Sequence, residues 1–253
     1  MDDQDINYRQ VFQNSVDKYE QTTQTKHISL IYNLEKDVLE RFFYEINSGD
    51  LSVMDFACGS GRWTKYLETK FKSTVGVDVS RKMIDSAKRK CCKTHFHVTD
   101  ITSNNQVTLK QEFDVITAFR FYKNAEDELR EEVTKVIPTY LKENGYFIFD
   151  LHLNTYSFNG VVANCIKALK LDKVTSIGKL TIRTISLGDI KQLFENTNLE
   201  IVDYWGMGVM PGRSNTTLLP FKVLYELEKY FTLKKLFRNI SYNILVIARK
   251  ISV

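Results

Sequence analysis

Val53-Met54-Asp55-Phe56-Ala57-Cys58-Gly59-Ser60-Gly61-Arg62-Trp63-Thr64-Lys65-Tyr66-Leu67 reads as a short buried strand, a glycine-bearing turn and the first turns of a helix. Gly59 and Gly61 stand where a turn after a strand needs positive φ or an absent Cβ, so that a ligand can approach the backbone. The helix start adds unpaired N–H groups. Spacing separates two nucleotide-type readings of such a loop. A dinucleotide fingerprint places its glycines as G-x-G-x-x-G, and counted from Gly59 the third position is Thr64. That third glycine is missing.

Outward from this loop, strands and helices alternate. Ser73 to Asp78 forms a second short strand ending in a carboxylate, and Ser80 caps a helix that turns Met83, Ile84 and Ala87 inward. Asp78 lies 17 residues beyond Gly61, close to the roughly 20-residue offset at which an acidic side chain of a βαβ unit meets a ribose. The competing role is a carboxylate that only steadies the helix at Ser80. His95 to Asp100 is a third strand, and Phe113 to Phe119 a fourth, delivering Arg120-Phe-Tyr-Lys-Asn124. A charged helix over Ala125 to Leu141 is shortened or kinked at Pro138. Asn144-Gly145 then turns the chain into a fifth strand, Tyr146 to Leu151. Ser186 to Asp189 opens another helix in the manner of a capping box. Leu199 to Trp205 and Asn243 to Arg249 are the sixth and seventh strands. Such alternation predicts a doubly wound sheet with helices on both faces and a ligand crevice beyond the carboxyl ends of its strands. Arg120, Tyr122, Asn124, Asp150, His152 and Asn154 are expected to face that crevice.

The block Asp55-Phe-Ala-Cys-Gly-Ser-Gly61 resembles motif I of the class I S-adenosylmethionine-dependent methyltransferases, an acidic residue followed by G-x-G-x-G, with Ala57 in place of the first glycine. The later block from Phe119-Arg-Phe-Tyr-Lys-Asn-Ala-Glu126 to Asn144-Gly-Tyr-Phe-Ile-Phe-Asp-Leu-His-Leu-Asn154 is similar to a bacterial subgroup associated with small or sugar-like acceptors. It does not resemble the Asn/Asp-Pro-Pro-Tyr signature of enzymes that methylate base amino groups. The resemblance implies a Rossmann-like α/β fold, a doubly wound seven-stranded sheet, mostly parallel with an antiparallel last strand. It implies S-adenosyl-L-methionine as cofactor, with S-adenosyl-L-homocysteine as product. Asp78 would hold the ribose, Asp100 the adenine amino group, and Ile101 would frame the ring. Asp55, Ala57, Cys58, Gly59, Gly61, Trp63, Val79, Met83 and Phe119 complete the expected cofactor set. The acceptor would be a small molecule or glycan, methylated on oxygen or nitrogen, with nucleic acid not expected. An RNA or protein methyltransferase, or a protein that binds the cofactor without turnover, are the alternatives.

For a hydroxyl acceptor a base is needed. His152 follows the fifth strand directly and has an ordinary pKa near neutrality, so it is the base candidate; an imidazole bonding a loop carbonyl is the other reading. Arg120 and Tyr122 are candidates for positioning the acceptor, Arg120 alternatively pairing with the acidic helix Glu126 to Glu132. His95 and His97 share one strand face, but no third ligand stands nearby, and no metal is expected.

Composition sets the frame. The chain has 253 residues, 43% hydrophobic and 26% charged, enough for one domain with its own core. The expected organisation is an N-terminal helical lid (1–50), a cofactor-binding core (51–151) and acceptor-side insertions (152–180 and 207–240). In the lid Tyr8, Phe12, Val16 and Tyr19 form one apolar stripe, and a second helix runs from His27 to Ile46. In the first insertion Val161, Val162, Ile166 and Leu169 form an apolar helix expected to wall the acceptor side. No window approaches a membrane span, the acidic start lacks signal-peptide features, and a cytoplasmic monomer or homodimer is expected. Cys58, Cys91, Cys92 and Cys165 show neither metal nor disulfide spacing. From Met207 onward eight Lys or Arg stand against two Glu, a local charge of +6 within a net +4. A solvated helix face accounts for it, with an anionic surface as the alternative.

Overall fold

The computed structural model describes Val16, Glu20 and residues 25–103, 109, 111–169, 183–210 and 219–252. Most of the expected N-terminal stripe and the parts of the two insertions at 170–182 and 211–218 lie outside the described residues.

Seven strands form one sheet: β1 (Ser52–Phe56), β2 (Ser73–Asp78), β3 (His95–Val98), β4 (Phe113–Ala118), β5 (Leu141–His152), β6 (Leu199–Met207) and β7 (Asn243–Lys250). Their spatial order is β3-β2-β1-β4-β5-β7-β6. Neighbours from β3 to β5 are parallel, and β7 runs antiparallel to both β5 and β6. The strand order reverses at β1, between β2 and β4. That switch point is where ligands bind in open α/β sheets.

Strand pleating sends alternate residues to opposite faces, and the chain uses this to build two cores. Val53, Val115, Ile148, Leu245 and Ile247 face one side; Met54, Ile116, Phe147, Phe149 and Val246 face the other. Because both faces are covered, the central strands are apolar throughout rather than alternating. Helix α1 (Lys26–Glu45) covers the first face with Leu30, Ile31, Leu34, Val38, Leu39 and Phe43. The second face is covered by α5 (Asp127–Val136), through Leu129 and Val133, and by α7 (Leu187–Phe194), through Ile190 and Phe194. Between these lie α2 (Arg62–Leu67), α3 (Arg81–Lys88), the single-turn α4 (Phe121–Asn124) and α6 (Phe158–Ala168). Near the C-terminus α8 (Phe221–Thr232) leads into a 3-10 turn and then β7.

Two local expectations change. Strand β5 runs through His152, which pairs with Asn243 of β7, so His152 is inside the sheet rather than beyond its end. Pro138 shortens α5 as expected, without a kink; the helix stops at Val136 and the proline sits in a following 3-10 turn, Ile137–Tyr140. Helix α6 does not bury the apolar residues that were to wall the acceptor side: Val161, Val162 and Leu169 are 51%, 42% and 69% exposed. The capping box at α7 forms as read, with Ser186 and Asp189 bonding each other's backbone N–H. No helix among the described residues is long and apolar enough to cross a membrane.

Candidate functional site

The loop between β1 and α2 is held by two devices. Ala57, Gly59 and Gly61 all take positive φ, 53°, 53° and 81°, so the alanine occupies a left-handed conformation that normally favours glycine. Gly61 also answers a packing need. A Cβ there would lie 2.9 Å from Ala87 Cβ and 3.3 Å from Cys91 Sγ, so the missing side chain lets α2 start against the end of α3. Asp55 is the second device. Its buried carboxylate accepts from the hydroxyls of Thr64 (2.6 Å) and Thr117 (2.8 Å), tying the loop to α2 and β4. Burial pushes its pKa up to about 6, with the two threonine bonds opposing. Cys58 is likewise kept as a thiol by burial.

Asp78 closes β2 beside this loop. One carboxylate oxygen accepts from Gly59 N–H and the other from Ser80 N–H, each at 2.8 Å. Each oxygen keeps a further lone pair. Burial raises the Asp78 pKa while the two backbone bonds oppose it. Ser80 caps α3 through Met83 N–H. Ala57, Gly59, Asp78, Met83, Asp100 and Phe119 line one crevice at the strand ends, with Val79 alongside. Asp55, Cys58 and Trp63 line a smaller recess that shares Ala57, Phe119 and Arg120 with it. The Trp63 and Phe119 rings stack at 3.9 Å and 15° between the two. Asp100 is steadied by Thr102, whose N–H and O–H both reach Oδ1. Two expected cofactor residues stand apart from the lining: Gly61, committed to the helix contact, and Ile101, buried in the core cluster that also holds Phe56 and Val77.

On the other side of Phe119 lies a buried polar cluster. Arg120 itself has φ 61°, an uncommon conformation for a side chain of its size. Asp150 holds it there, accepting from the Arg120 backbone N–H at 2.5 Å and from the guanidinium. The guanidinium also contacts Glu35 of α1 at 3.3 Å, Asn243 Oδ1 at 3.2 Å and His152 Nδ1 at 2.8 Å. Asn243 donates to Glu35 at 2.8 Å. Glu35 and Asp150 have no exposed side-chain surface, and Arg120 keeps 15%. Burial pushes the Glu35 carboxyl upward, with Arg120 opposing.

This network corrects two expected catalytic assignments. Arginine can only donate, so His152 Nδ1 accepts from Arg120 and the ring proton sits on Nε2, which donates to the Tyr242 hydroxyl at 3.1 Å. Both nitrogens are engaged. Burial first, then Arg120, Lys123 and His27, hold the ring neutral well below its ordinary pKa. His152 therefore offers no open lone pair for a general base. Tyr122 is fully buried, its hydroxyl 2.9 Å from Thr134 Oγ1 on α5. It stabilises the core instead of facing the crevice. Asn154 is also inside, bonding the carbonyls of Asn239 and Ser241. Asn124 lines the crevice but donates to Arg120 O at 2.7 Å. Arg120 is the member of the expected catalytic group that the structure brings to the crevice wall, and its carboxylate partners are Glu35 and Asp150 rather than the helix of Glu126 to Glu132. Among the described residues no group of three or more His, Cys, Asp or Glu has the placement to hold a metal ion; His95 and His97 are exposed on the edge strand β3.

His27, at the start of α1, was not singled out by its sequence. Its ring packs edge-on against Tyr242 at 4.8 Å. Burial, then Arg120 and Lys123, lower its pKa to about 4. Folding thus keeps the ring neutral where the unfolded chain would take a proton near pH 6.5. A depressed folded pKa gives stability that is present above pH 6.5 and lost as the pH falls from there toward about 4. His27→Gln should remove about 2 kcal/mol of that acid sensitivity by pH 5, a shift of 1.5 units at 1.36 kcal/mol each. Urea unfolding of both proteins at pH 7 and pH 5 measures it; parallel losses would show that His27 does not contribute.

Comparison with known proteins bears on the fold and on the domain that carries this loop. Residues 53–145 match a family model described as a methyltransferase domain, the stretch from β1 to the turn inside β5. An uncharacterized methyltransferase of Schizosaccharomyces pombe is 28% identical over 167 residues, covering 62% of this chain and 56% of that one. The chain thus spans little more than half the length of that curated relative. The magnesium protoporphyrin IX methyltransferase of Synechocystis PCC 6803, solved with bound S-adenosylhomocysteine, superposes with a TM-score of 0.67 at 15% identity over 98% of this chain and all of that one. The N-methyltransferase NodS of Bradyrhizobium japonicum, also solved with S-adenosylhomocysteine, gives a TM-score of 0.58 at 15% identity, covering 96% and 98%. Residues 53–145 thus match a methyltransferase domain, and the sheet that holds them has the fold of these S-adenosylmethionine-dependent methyltransferases.

Proposed function

We propose that this chain transfers a methyl group from S-adenosylmethionine to an oxygen or nitrogen of a small molecule or glycan. The carrying observation is Asp78: a carboxylate at the end of β2, fixed by Gly59 and Ser80 N–H, with a lone pair on each oxygen for a vicinal diol. The remaining wall fits the same cofactor. Met83 and Phe119 supply apolar surface for a flat base, Asp100 an acceptor for its amino group, and the left-handed loop at Ala57 and Gly59 exposes backbone to the amino acid end.

When bound, that cofactor supplies a methyl group already activated by its sulfonium. The chain's own residues orient and enclose. Trp63 stacks on Phe119 and is covered by Tyr32 of α1 at 4.6 Å, which screens the reacting side from water. The Arg120 cluster gives this side a rigid polar edge, since one guanidinium joins β4, β5, β7 and α1. His152 orients Arg120 and Tyr242. With both His152 nitrogens engaged, an acceptor that arrives as an amine or an anion suits the site better than one needing deprotonation by that ring. Tritium-labelled methyl transfer into fractionated extract tests the reading, with nuclease and protease treatment to identify macromolecular acceptors. Label confined to small-molecule or glycan fractions supports it; label lost on nuclease or protease treatment overturns the acceptor class.

A further inference from the structure

Helix α8 and the 3-10 turn after it (Lys235–Ile240) carry a surface that methyl transfer leaves unused. One side of α8 is anchored. Leu224, Glu228 and Thr232 are buried at four-residue spacing, and Tyr225 donates to Asp37 of α1. A surface helix held in this way is ordinarily polar on its other side. This one is not. Val223, Leu227 and Tyr230 follow one another outward at spacings of four and three, and Leu233, Leu236 and Ile240 stand exposed just past the helix end. Their exposures run from 38% at Leu227 to 82% at Leu236. Single exposed apolar residues are ordinary, but a run of them rimmed by charge marks an interaction surface.

The charge beside them is of one sign. Lys222, Lys234 and Lys235 are exposed and meet no carboxylate among the described residues, Lys234 resting instead over the Tyr230 ring at 4.8 Å. Lys229 and Arg238 are already paired, with Asp37 and Asp203. Glu226 is the one exposed carboxylate of α8 and the turn. A solvated polar face accounts for the lysines and not for the aliphatic residues among them. Nucleic acid would match the lysines and leave those aliphatic side chains in water. A second copy docking through the same patch would set lysine against lysine. An anionic bilayer matches both, because its charged head groups lie directly over acyl chains: lysine stems snorkel to the former while apolar tips and a tyrosine ring enter the boundary.

We propose that α8 and the turn after it dock this chain on an anionic lipid bilayer, with Tyr230, Leu233 and Leu236 entering the head-group boundary and Lys222, Lys234 and Lys235 meeting the lipids' anionic groups. Ile240 stands just before β7, whose first residue pairs with His152 at the carboxyl end of β5. The docked surface therefore ends at the sheet edge that carries the crevice.

The test sediments the full chain with sucrose-loaded vesicles, one set of phosphatidylcholine alone and one holding about a third phosphatidylserine. Bound protein should rise at least about tenfold with the anionic lipid and fall as salt is added. Lys234→Gln with Lys235→Gln should cut binding at least about tenfold, and Leu233→Ser with Leu236→Ser at least about fivefold. Lys72→Gln with Lys93→Gln removes the same charge from exposed positions elsewhere and should leave binding within about twofold. Thermal midpoint and S-adenosylhomocysteine affinity should be unchanged in all three, so that a loss reports the surface and not the fold; if the leucine pair unfolds, the lysine pair and its control decide. Equal binding to both vesicle sets, equal losses in the two lysine pairs, or undiminished binding in a folded leucine pair overturns the membrane face. A dimer that the leucine pair dissolves, with no vesicle binding, overturns it in favour of a second copy. Retention by a single-stranded oligonucleotide in preference to vesicles overturns it in favour of nucleic acid.

Discussion

Asp78→Ala should weaken S-adenosylhomocysteine binding on the order of a hundredfold, about 3 kcal/mol, while the protein stays folded. The argument starts from the two backbone bonds. Gly59 and Ser80 N–H aim the carboxylate, so its free lone pairs face the crevice without further ordering when a ligand binds. Hydrogen bonds to a charged group contribute about 1.5–3 kcal/mol each, and a ribose diol makes two of them. Asp78→Asn keeps an acceptor oxygen and should lose roughly half as much. Calorimetry on the three proteins reads the affinities, and thermal unfolding without ligand reads the loop. An unchanged affinity in Asp78→Ala would remove the ribose assignment. Equal loss of affinity and of ligand-free stability would make Asp78 a loop anchor alone.

Arg120→Met should cost about 3–5 kcal/mol of stability, the range for removing one partner of a buried ion pair. Two fully buried carboxylates lose their counter-ion together, and His152 Nδ1 loses its donor. The sign of the pH dependence follows. Burial already raises the Glu35 pKa above its ordinary value, and removal of Arg120 can only raise it further. A raised folded pKa gives stability that is present below the unfolded value and lost as the pH rises through the folded one. The deficit of Arg120→Met should therefore shrink as the pH is lowered from 8 toward 5. Denaturant unfolding across that range measures it, and a deficit that grows on acidification would show that the carboxylates are not what Arg120 stabilises.

The candidate cofactor side was legible because local chemistry writes it. Asp55 and Asp78 lie at the ends of β1 and β2, Gly59 and Asp100 just beyond β1 and β3, and alternation of strand and helix brings those ends to one edge. The polar cluster around Arg120 was legible only in part. Glu35 and His27 come from α1 and Tyr242 and Asn243 from β7; no spacing rule joins Glu35 to Asn243, 208 positions apart. Tyr122 was misplaced because strand alternation was carried one step too far. Arg120 turns left-handed and starts a one-turn helix, so the residue two positions on rotates into the core. His152 was misplaced for the converse reason, since β7 pairs with β5 up to that residue and keeps the strand going. Ala57 was read as a mild departure from glycine, and its φ of 53° shows that the departure keeps the glycine-like conformation.

The loop after β6 has a further consequence. Glu228 of α8, with no exposed surface, accepts from the N–H groups of Gly208, Val209 and Met210 in succession, at 3.1, 3.0 and 2.7 Å. One buried carboxylate thus fixes three consecutive amides of the segment that leaves β6. Gly208 lies against Ile31 and Tyr242, with His27 just beyond. Through this one carboxylate α8 is tied to the wall beside His27 and Tyr242.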